Sequence, residues 1–143
     1  MPSIAYFGNR YLTFSESLGL RNLMWVTNYL PESAADIVVL DTAFEKSLKL
    51  PKGVIGVGSA NNPEAVMCLK KCGVKMVTCG MSCLDPGTLS SSGPQQKVYL
   101  QRNLITLRWK ILNPAEFTVN DAREPDCLLL ASATRLLCGL EPK

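Results

Sequence analysis

The residues with the clearest chemical potential lie between positions 53 and 62. Gly53 to Ser59 reads Gly-Val-Ile-Gly-Val-Gly-Ser and leads into an Ala-Asn-Asn turn. A glycine-rich strand end that feeds a helix can bind an anion through free backbone N–H groups. This pattern predicts a site for a nucleotide or another small anion. The predicted ligand-binding residues are Gly58, Ser59, Asn61 and Asn62.

The same glycines also have a purely structural interpretation. Asn61 stands where the dinucleotide-binding fingerprint Gly-x-Gly-x-x-Gly would place its third glycine after Gly56 and Gly58. Two glycines at alternate positions of a strand also permit close packing and a turn. The sequence leaves both interpretations open.

The residue types argue against an enzyme. The chain has no histidine, which excludes a Ser-His or Cys-His dyad and a histidine general base or metal ligand within it. Ser59, Cys79 and Cys83 lie near the ends of predicted strands, but no activating partner for them is recognisable. Three carboxylates flank another strand in an order equally typical of a solvated helix start: Asp36, Asp41 and Glu45. We therefore predict no catalytic residues.

The six cysteines, at positions 68, 72, 79, 83, 127 and 138, do not form a recognisable metal or redox motif. No pair has the Cys-x-x-Cys spacing of a zinc knuckle or a redox site, and cysteines readily serve as small buried hydrophobic residues. We predict no metal site and no cofactor. Because Met1 to Asn9 lacks signal-peptide features and no apolar run reaches membrane-spanning length, we expect a cytoplasmic protein without a membrane partner.

Cations and an aromatic ring are concentrated in residues 102–110, namely Arg102, Arg108, Trp109 and Lys110. This combination also serves single-stranded nucleic acids. However, the formal net charge of +3 is too small for the concentrated basic surface that nucleic acids need, so we expect no nucleic acid partner. Exposed β-ribbons have free pairing edges, and Trp and Arg anchor many protein interfaces. We predict an interface with a protein partner or a second copy at Arg108 and Trp109.

The elements that must position these residues follow from length and pattern. A chain of 143 residues with 47% hydrophobic residues has the size of one domain, here 1–143. Apolar runs predict strands over Ser3–Phe7, Asp36–Leu40, Val54–Val57 and Lys75–Cys79. Helical spacing, caps and prolines predict helices over Phe14–Leu30, Thr42–Leu50, residues 63–71 and Glu124–Leu137.

Between the last two helices, Val98–Leu107 and Trp109–Val119 read as an antiparallel ribbon with a hairpin near Arg108. The last helix should pack an apolar stripe on the sheet. Alternation of strands and helices between residues 36 and 80 favours a parallel sheet. The predicted fold class is a small three-layer Rossmann-like α/β domain. It has a mainly parallel sheet, an appended antiparallel β-ribbon and a C-terminal helix.

From Gly53 onward, short motifs follow one another in a characteristic order. A strand leads into Ser59-Ala60-Asn61-Asn62-Pro63, and the next strand ends in Val77-Thr78-Cys79-Gly80. After the ribbon, the closing helix carries Leu130-Ala131-Ser132-Ala133 and ends in Cys138-Gly139-Leu140. In this order the motifs resemble the rear half of the central ATPase domain of Mur ligases, the amide ligases of peptidoglycan synthesis. The resemblance implies a Rossmann-like fold and a setting near bacterial cell-wall synthesis.

Departures from that family bear directly on function. The chain has no Gly-Lys dipeptide for a P-loop, and residues 1–50 are too few to hold the P-loop half. Asn61 and Asn62 replace the two aspartates of the family's turn, which removes its negative charge. The resemblance therefore implies a reduced, non-catalytic relative. We expect a Rossmann-like module that acts through protein association, with nucleotide or small-anion binding at Gly58–Asn62 as the alternative.

Overall fold

The computed structural model describes residues 2–26, 35–41, 53–80, 89–92, 97–119 and 125–142, together with Leu50. The elements in the first half are β1 (Ile4–Phe7), α1 (Tyr11–Leu18), β2 (Leu23–Trp25), β3 (Ile37–Leu40), β4 (Ile55–Ser59), α2 (Pro63–Cys72) and β5 (Lys75–Gly80). Those in the second half are β6 (Leu89–Ser92), β7 (Lys97–Leu100), β8 (Leu104–Ile105), β9 (Ile111–Leu112), β10 (Ala115–Thr118) and α3 (Pro125–Leu137). The predicted helix over Thr42–Leu50 lies outside the described residues, apart from Leu50.

One sheet organises the described chain, with the strand order β10-β7-β6-β5-β4-β3-β1-β2. The strands from β2 to β6 along this order pair in parallel, whereas β7 and β10 pair antiparallel at the opposite edge. β8 and β9 form a separate two-stranded antiparallel sheet. The predicted fold class is therefore confirmed, and part of the ribbon joins the main sheet as β7 and β10.

Helices cover both faces of the sheet and give three layers. Side chains alternate between the faces along a strand. Ile4 and Tyr6 of β1 pack in the core that holds α1 and α3, while Ala5 and Phe7 pack in the core that holds Leu69 of α2. The central strands are buried on both faces, and every residue of β1 and β3 is at most 3% exposed. This explains their continuous apolar sequences.

The first helix differs from the predicted helix over Phe14–Leu30. It begins earlier, at Tyr11, and ends at Leu18, because Gly19 takes a left-handed conformation with φ +65° and donates its N–H to the Ser15 carbonyl. The chain then forms the short strand β2, which pairs in parallel with β1. Gly19 was the overlooked stop signal in the sequence.

The second helix forms where its caps predict it. Asn62 is the N-cap, Pro63 is the first helical residue, and Gly73 ends α2 in a left-handed conformation with φ +66°. The close match reflects signals that are entirely local in sequence.

The third helix is buried on more sides than the predicted apolar stripe requires. Its polar residues Ser132 and Thr134 are also buried, because α3 contacts α1 as well as the sheet. Thr134 satisfies its hydroxyl by donating to the Leu130 carbonyl at 2.8 Å. No helix in the described parts of the chain is long and apolar enough to cross a membrane.

Candidate functional site

The four predicted ligand-binding residues lie at the carboxyl end of β4, where they tie the strand to α2. Asn62 is buried, and its side-chain oxygen accepts hydrogen bonds from the N–H groups of Glu64 (3.2 Å) and Ala65 (3.4 Å). Its side-chain amide donates to the carbonyl of Asp41 at 3.0 Å. Asn62 therefore caps α2 and joins it to the end of β3.

The backbone N–H groups of this turn are already bonded within the protein. Ala60 donates to the Cys79 carbonyl, Asn61 to the Ser59 hydroxyl, and Asn62 to the Ser59 carbonyl. In the first turn of α2, the Asn62 side chain holds two N–H groups and its carbonyl accepts a third, from Val66. An anion could bind these N–H groups only by displacing hydrogen bonds that the turn already makes. In this conformation they are therefore not free to bind an anion in the way that the sequence predicts.

The glycines of β4 face α2. A Cβ atom on Gly58 would lie 3.2 Å from a methyl group of Leu69, and one on Gly56 would overlap the same side chain. Leu69 is fully buried in that position. Gly56 and Gly58 therefore let α2 approach the sheet closely, as the structural interpretation of the motif requires.

A second polar cluster lies at the point where the strand order reverses. β1 is flanked by β2 and β3, and the crevice at the carboxyl ends of such strands is where open α/β sheets place their ligands. Asp41, directly after β3, is fully buried and accepts hydrogen bonds from the Tyr6 hydroxyl and from the guanidinium of Arg10. The backbone N–H of Arg10 donates to the Tyr6 oxygen at 3.1 Å. We call Tyr6, Arg10 and Asp41 the switch-point cluster.

The switch-point cluster is tightly closed. A Cβ atom on Gly8 would lie 2.6 Å from Cβ of Asp41 and 2.7 Å from the Tyr6 oxygen, so only glycine fits there. Burial, and then the hydrogen bond to Asp41, raise the pKa of Tyr6 well above its usual value. The phenol therefore stays protonated as a donor, and the cluster fixes the loop between β1 and α1.

The remaining candidate catalytic groups are not brought together. Asp36 lies at the amino end of β3, where it accepts the N–H of Ser3 at 2.9 Å, and so stands at the opposite end of that strand from Asp41. The buried thiol of Cys79 donates to the Leu129 carbonyl at 3.7 Å. Glu45 and Cys83 lie outside the described residues. Within the described ranges, no group of three or more His, Cys, Asp or Glu side chains is placed to hold a metal ion.

The predicted interface residues lie on the turn between β8 and β9. Thr106 accepts the N–H of Trp109 at 3.0 Å and donates its own N–H to Lys110 at 2.9 Å, which closes a three-residue loop. Such loops place their last residue in the left-handed region, usually as glycine. Here that residue is Trp109, which has φ +65° and is 84% exposed.

The hairpin is anchored at its base and exposed at its tip. Leu107 donates its N–H to the Leu137 carbonyl at the end of α3, and the Lys75 ammonium donates to the Ile105 carbonyl at 3.2 Å. Ile111 is 61% exposed beside Trp109. We call Ile105, Arg108, Trp109 and Ile111 the hairpin surface.

A cleft of about 590 Å³ opens between the hairpin and the amino ends of β4 and β5. Its walls are mainly apolar: Val54, Ile55, Cys72, Val74, Leu107 and Trp109. The sequence predicted an interface at Arg108 and Trp109 but not this cleft, because its walls come from three separate segments, residues 53–55, 72–75 and 106–109.

No protein-family model, curated protein or solved structure matches this chain. The resemblance to Mur ligases stays a prediction.

Proposed function

We propose that this chain is a non-catalytic Rossmann-like module that acts through protein association, with the hairpin surface as its contact. The observation that carries the proposal is the conformation and exposure of Trp109, which is 84% exposed at φ +65°. Tryptophan is among the side chains most enriched at the energetic centre of protein interfaces.

Trp109 raises the free energy of the isolated protein in two ways. A left-handed conformation costs a non-glycine residue about 1–2 kcal/mol, and glycine would avoid that cost. The exposed indole ring also leaves apolar surface in contact with water, and burial of that surface would be energetically favourable. Strained residues of this kind cluster at active sites, ligand clamps and switch regions. Contact with another protein would bury the indole ring and gain the free energy of removing its apolar surface from water. This supports an interface at this turn.

The partner is a second copy of the chain or another protein. The resemblance to Mur ligases supports, as part of this proposal, a partner that works in bacterial cell-wall synthesis. The polar groups of the switch-point cluster satisfy one another, which favours a structural role for the carboxyl edge over a catalytic one.

Site-specific photo-cross-linking in the cells that make the protein tests the proposal. A benzoylphenylalanine at position 111, beside Trp109, should give a defined adduct with one protein or with a second copy. The same probe at Leu12, which is 76% exposed on α1, is the matched control and should give none. Equal labelling from both positions, or no adduct from position 111, would contradict the proposal.

A nucleotide or small anion at Gly58–Asn62 is the second candidate. It is favoured by the position of the turn at the carboxyl edge of the sheet, beside the end of β3. Binding there would require Asn62 to leave the helix cap, so it would be coupled to a local rearrangement.

A further inference from the structure

We infer that the cleft beside the hairpin takes an acidic segment of a partner protein that carries a large apolar anchor side chain. This inference rests on the proposed function and names the chemical class of the partner. It is drawn from the volume of the cleft, the apolar character of its walls and the charge of the segments that form it.

The cleft has the size and the walls of a binding pocket for side chains. Its volume of about 590 Å³ falls in the range of small-molecule pockets, roughly 300–1,000 Å³. Among the lining residues, Val54 and Ile55 are buried, whereas Trp109 is exposed to solvent. An apolar side chain that enters the cleft would contact lining residues such as these, as anchor residues do in protein interfaces.

The segments that form the cleft carry positive charge only. Residues 70–75 contain three lysines, residues 104–112 contain Arg108 and Lys110, and neither segment contains an aspartate or glutamate. Lys75 lies in the wall, Arg108 and Lys110 flank the wall residue Trp109 in the sequence, and all three are exposed. The charge of the segments that form the cleft is therefore complementary to an acidic segment.

This charge is not neutralised within the described parts of the protein. The Lys75 ammonium donates to the neutral carbonyl of Ile105, and the described residues give Arg108 and Lys110 no carboxylate partner. By contrast, Lys97 pairs with Glu116 at 2.8 Å on the neighbouring strands β7 and β10. Among the described residues, these cations thus have no carboxylate partner, and their field would attract an acidic segment.

The walls favour a protein segment over a nucleic acid. Single-stranded nucleic acids bind on aromatic side chains along a basic groove. Trp109 is the one aromatic residue among the described residues that line this cleft, and the remaining walls are mainly aliphatic, with Cys72, Thr106 and Lys75. A mainly apolar pocket with cations in its lining segments fits a carboxylate-rich peptide with an apolar anchor.

Selection from a random dodecapeptide library displayed on phage tests the inference. Peptides selected on the wild-type protein should be rich in Asp and Glu and should contain a large apolar residue. Their binding, measured by fluorescence anisotropy, should weaken about tenfold or more in an Arg108→Glu/Lys110→Glu variant and in Trp109→Gly. Arg21→Glu, an exposed cation after α1, is the matched control and should bind as the wild type does.

Selection of neutral or basic peptides, the absence of any selected peptide, or affinities unchanged by charge reversal would overturn the inference. If a labelled oligothymidylate binds more tightly than the selected peptides and displaces them, the ligand of the cleft is a nucleic acid and not an acidic segment. Cross-links from position 111 that persist after charge reversal would overturn this inference alone. If position 111 gives no cross-link in the protein without charge reversal, the proposed function is overturned as well.

Discussion

Replacing Trp109 with glycine should relieve the strain of its left-handed backbone, whereas replacing it with alanine should not. Because the side chain is 84% exposed at φ +65°, its removal costs little burial while the backbone strain depends on the new residue. Tryptophan contributes up to about 250 Å² of surface, so the buried sixth is worth about 1 kcal/mol in both variants. This loss cancels when the two variants are compared.

The difference between the variants is set by the backbone. Glycine relieves about 1–2 kcal/mol of left-handed strain, whereas alanine retains it. Glycine also adds about 0.5–1 kcal/mol of conformational entropy to the unfolded chain. We therefore expect Trp109→Gly to be more stable than Trp109→Ala by about 0.5–1 kcal/mol, which reverses the usual order of the two residues.

Urea unfolding followed by far-UV circular dichroism measures this difference without relying on the fluorescence of the residue that is removed. The matched pair is Leu12→Gly and Leu12→Ala on the exposed side of α1, where alanine should be the more stable by about 1 kcal/mol. Equal stability at position 109, or alanine ahead of glycine there, would refute the strain on which the interface argument rests.

Three further expectations follow from the carboxyl edge of the sheet. Gly8→Ala should lower the free energy of unfolding by about 1–3 kcal/mol, because its methyl group would overlap Asp41 and Tyr6. Gly58→Ala should lower it by less. Urea unfolding curves that rank the two variants the other way would contradict this prediction. Because the folded-state pKa of Tyr6 is raised, its contribution to stability is intact below pH 10 and is lost as the pH rises above that value, by about 1.4 kcal/mol per unit. Tyr6→Phe should flatten this loss in unfolding curves across alkaline pH, and an unchanged slope would count against the burial of the phenol. Phosphate and adenine nucleotides, with or without magnesium, should leave the melting temperature unchanged, because the N–H groups around Asn62 are already hydrogen-bonded. A ligand that binds at about 100 times its dissociation constant would raise the melting temperature by several degrees. Such a rise would favour the ligand-binding candidate instead.

Local signals explain what the sequence predicted well. The β-branched run of β3, the N-cap Asn62 and the terminal Gly73 each act on their immediate neighbours, so β3, α2 and β5 lie where expected. The strand β2 was missed because three residues carry too little periodicity, although Gly19 marked the end of α1.

Contacts between distant residues explain what the sequence could not predict. Tyr6 and Asp41 are 35 residues apart and meet only because β1 and β3 pair in parallel. The sequence places Asp41 as a carboxylate after a predicted strand, but nothing local indicates Arg10 and Tyr6 as its partners. The left-handed conformation of Trp109 was equally hidden, because this residue type rarely adopts it.

The most direct test of association through the hairpin surface is the fate of the position-111 cross-link in a protein that also carries Trp109→Gly. Since that substitution removes strain and little burial, the variant should remain folded. We expect the adduct to disappear while the unfolding curve stays close to that of the wild type. An adduct of undiminished yield from the folded variant would contradict the role of Trp109 as the anchor of the interface.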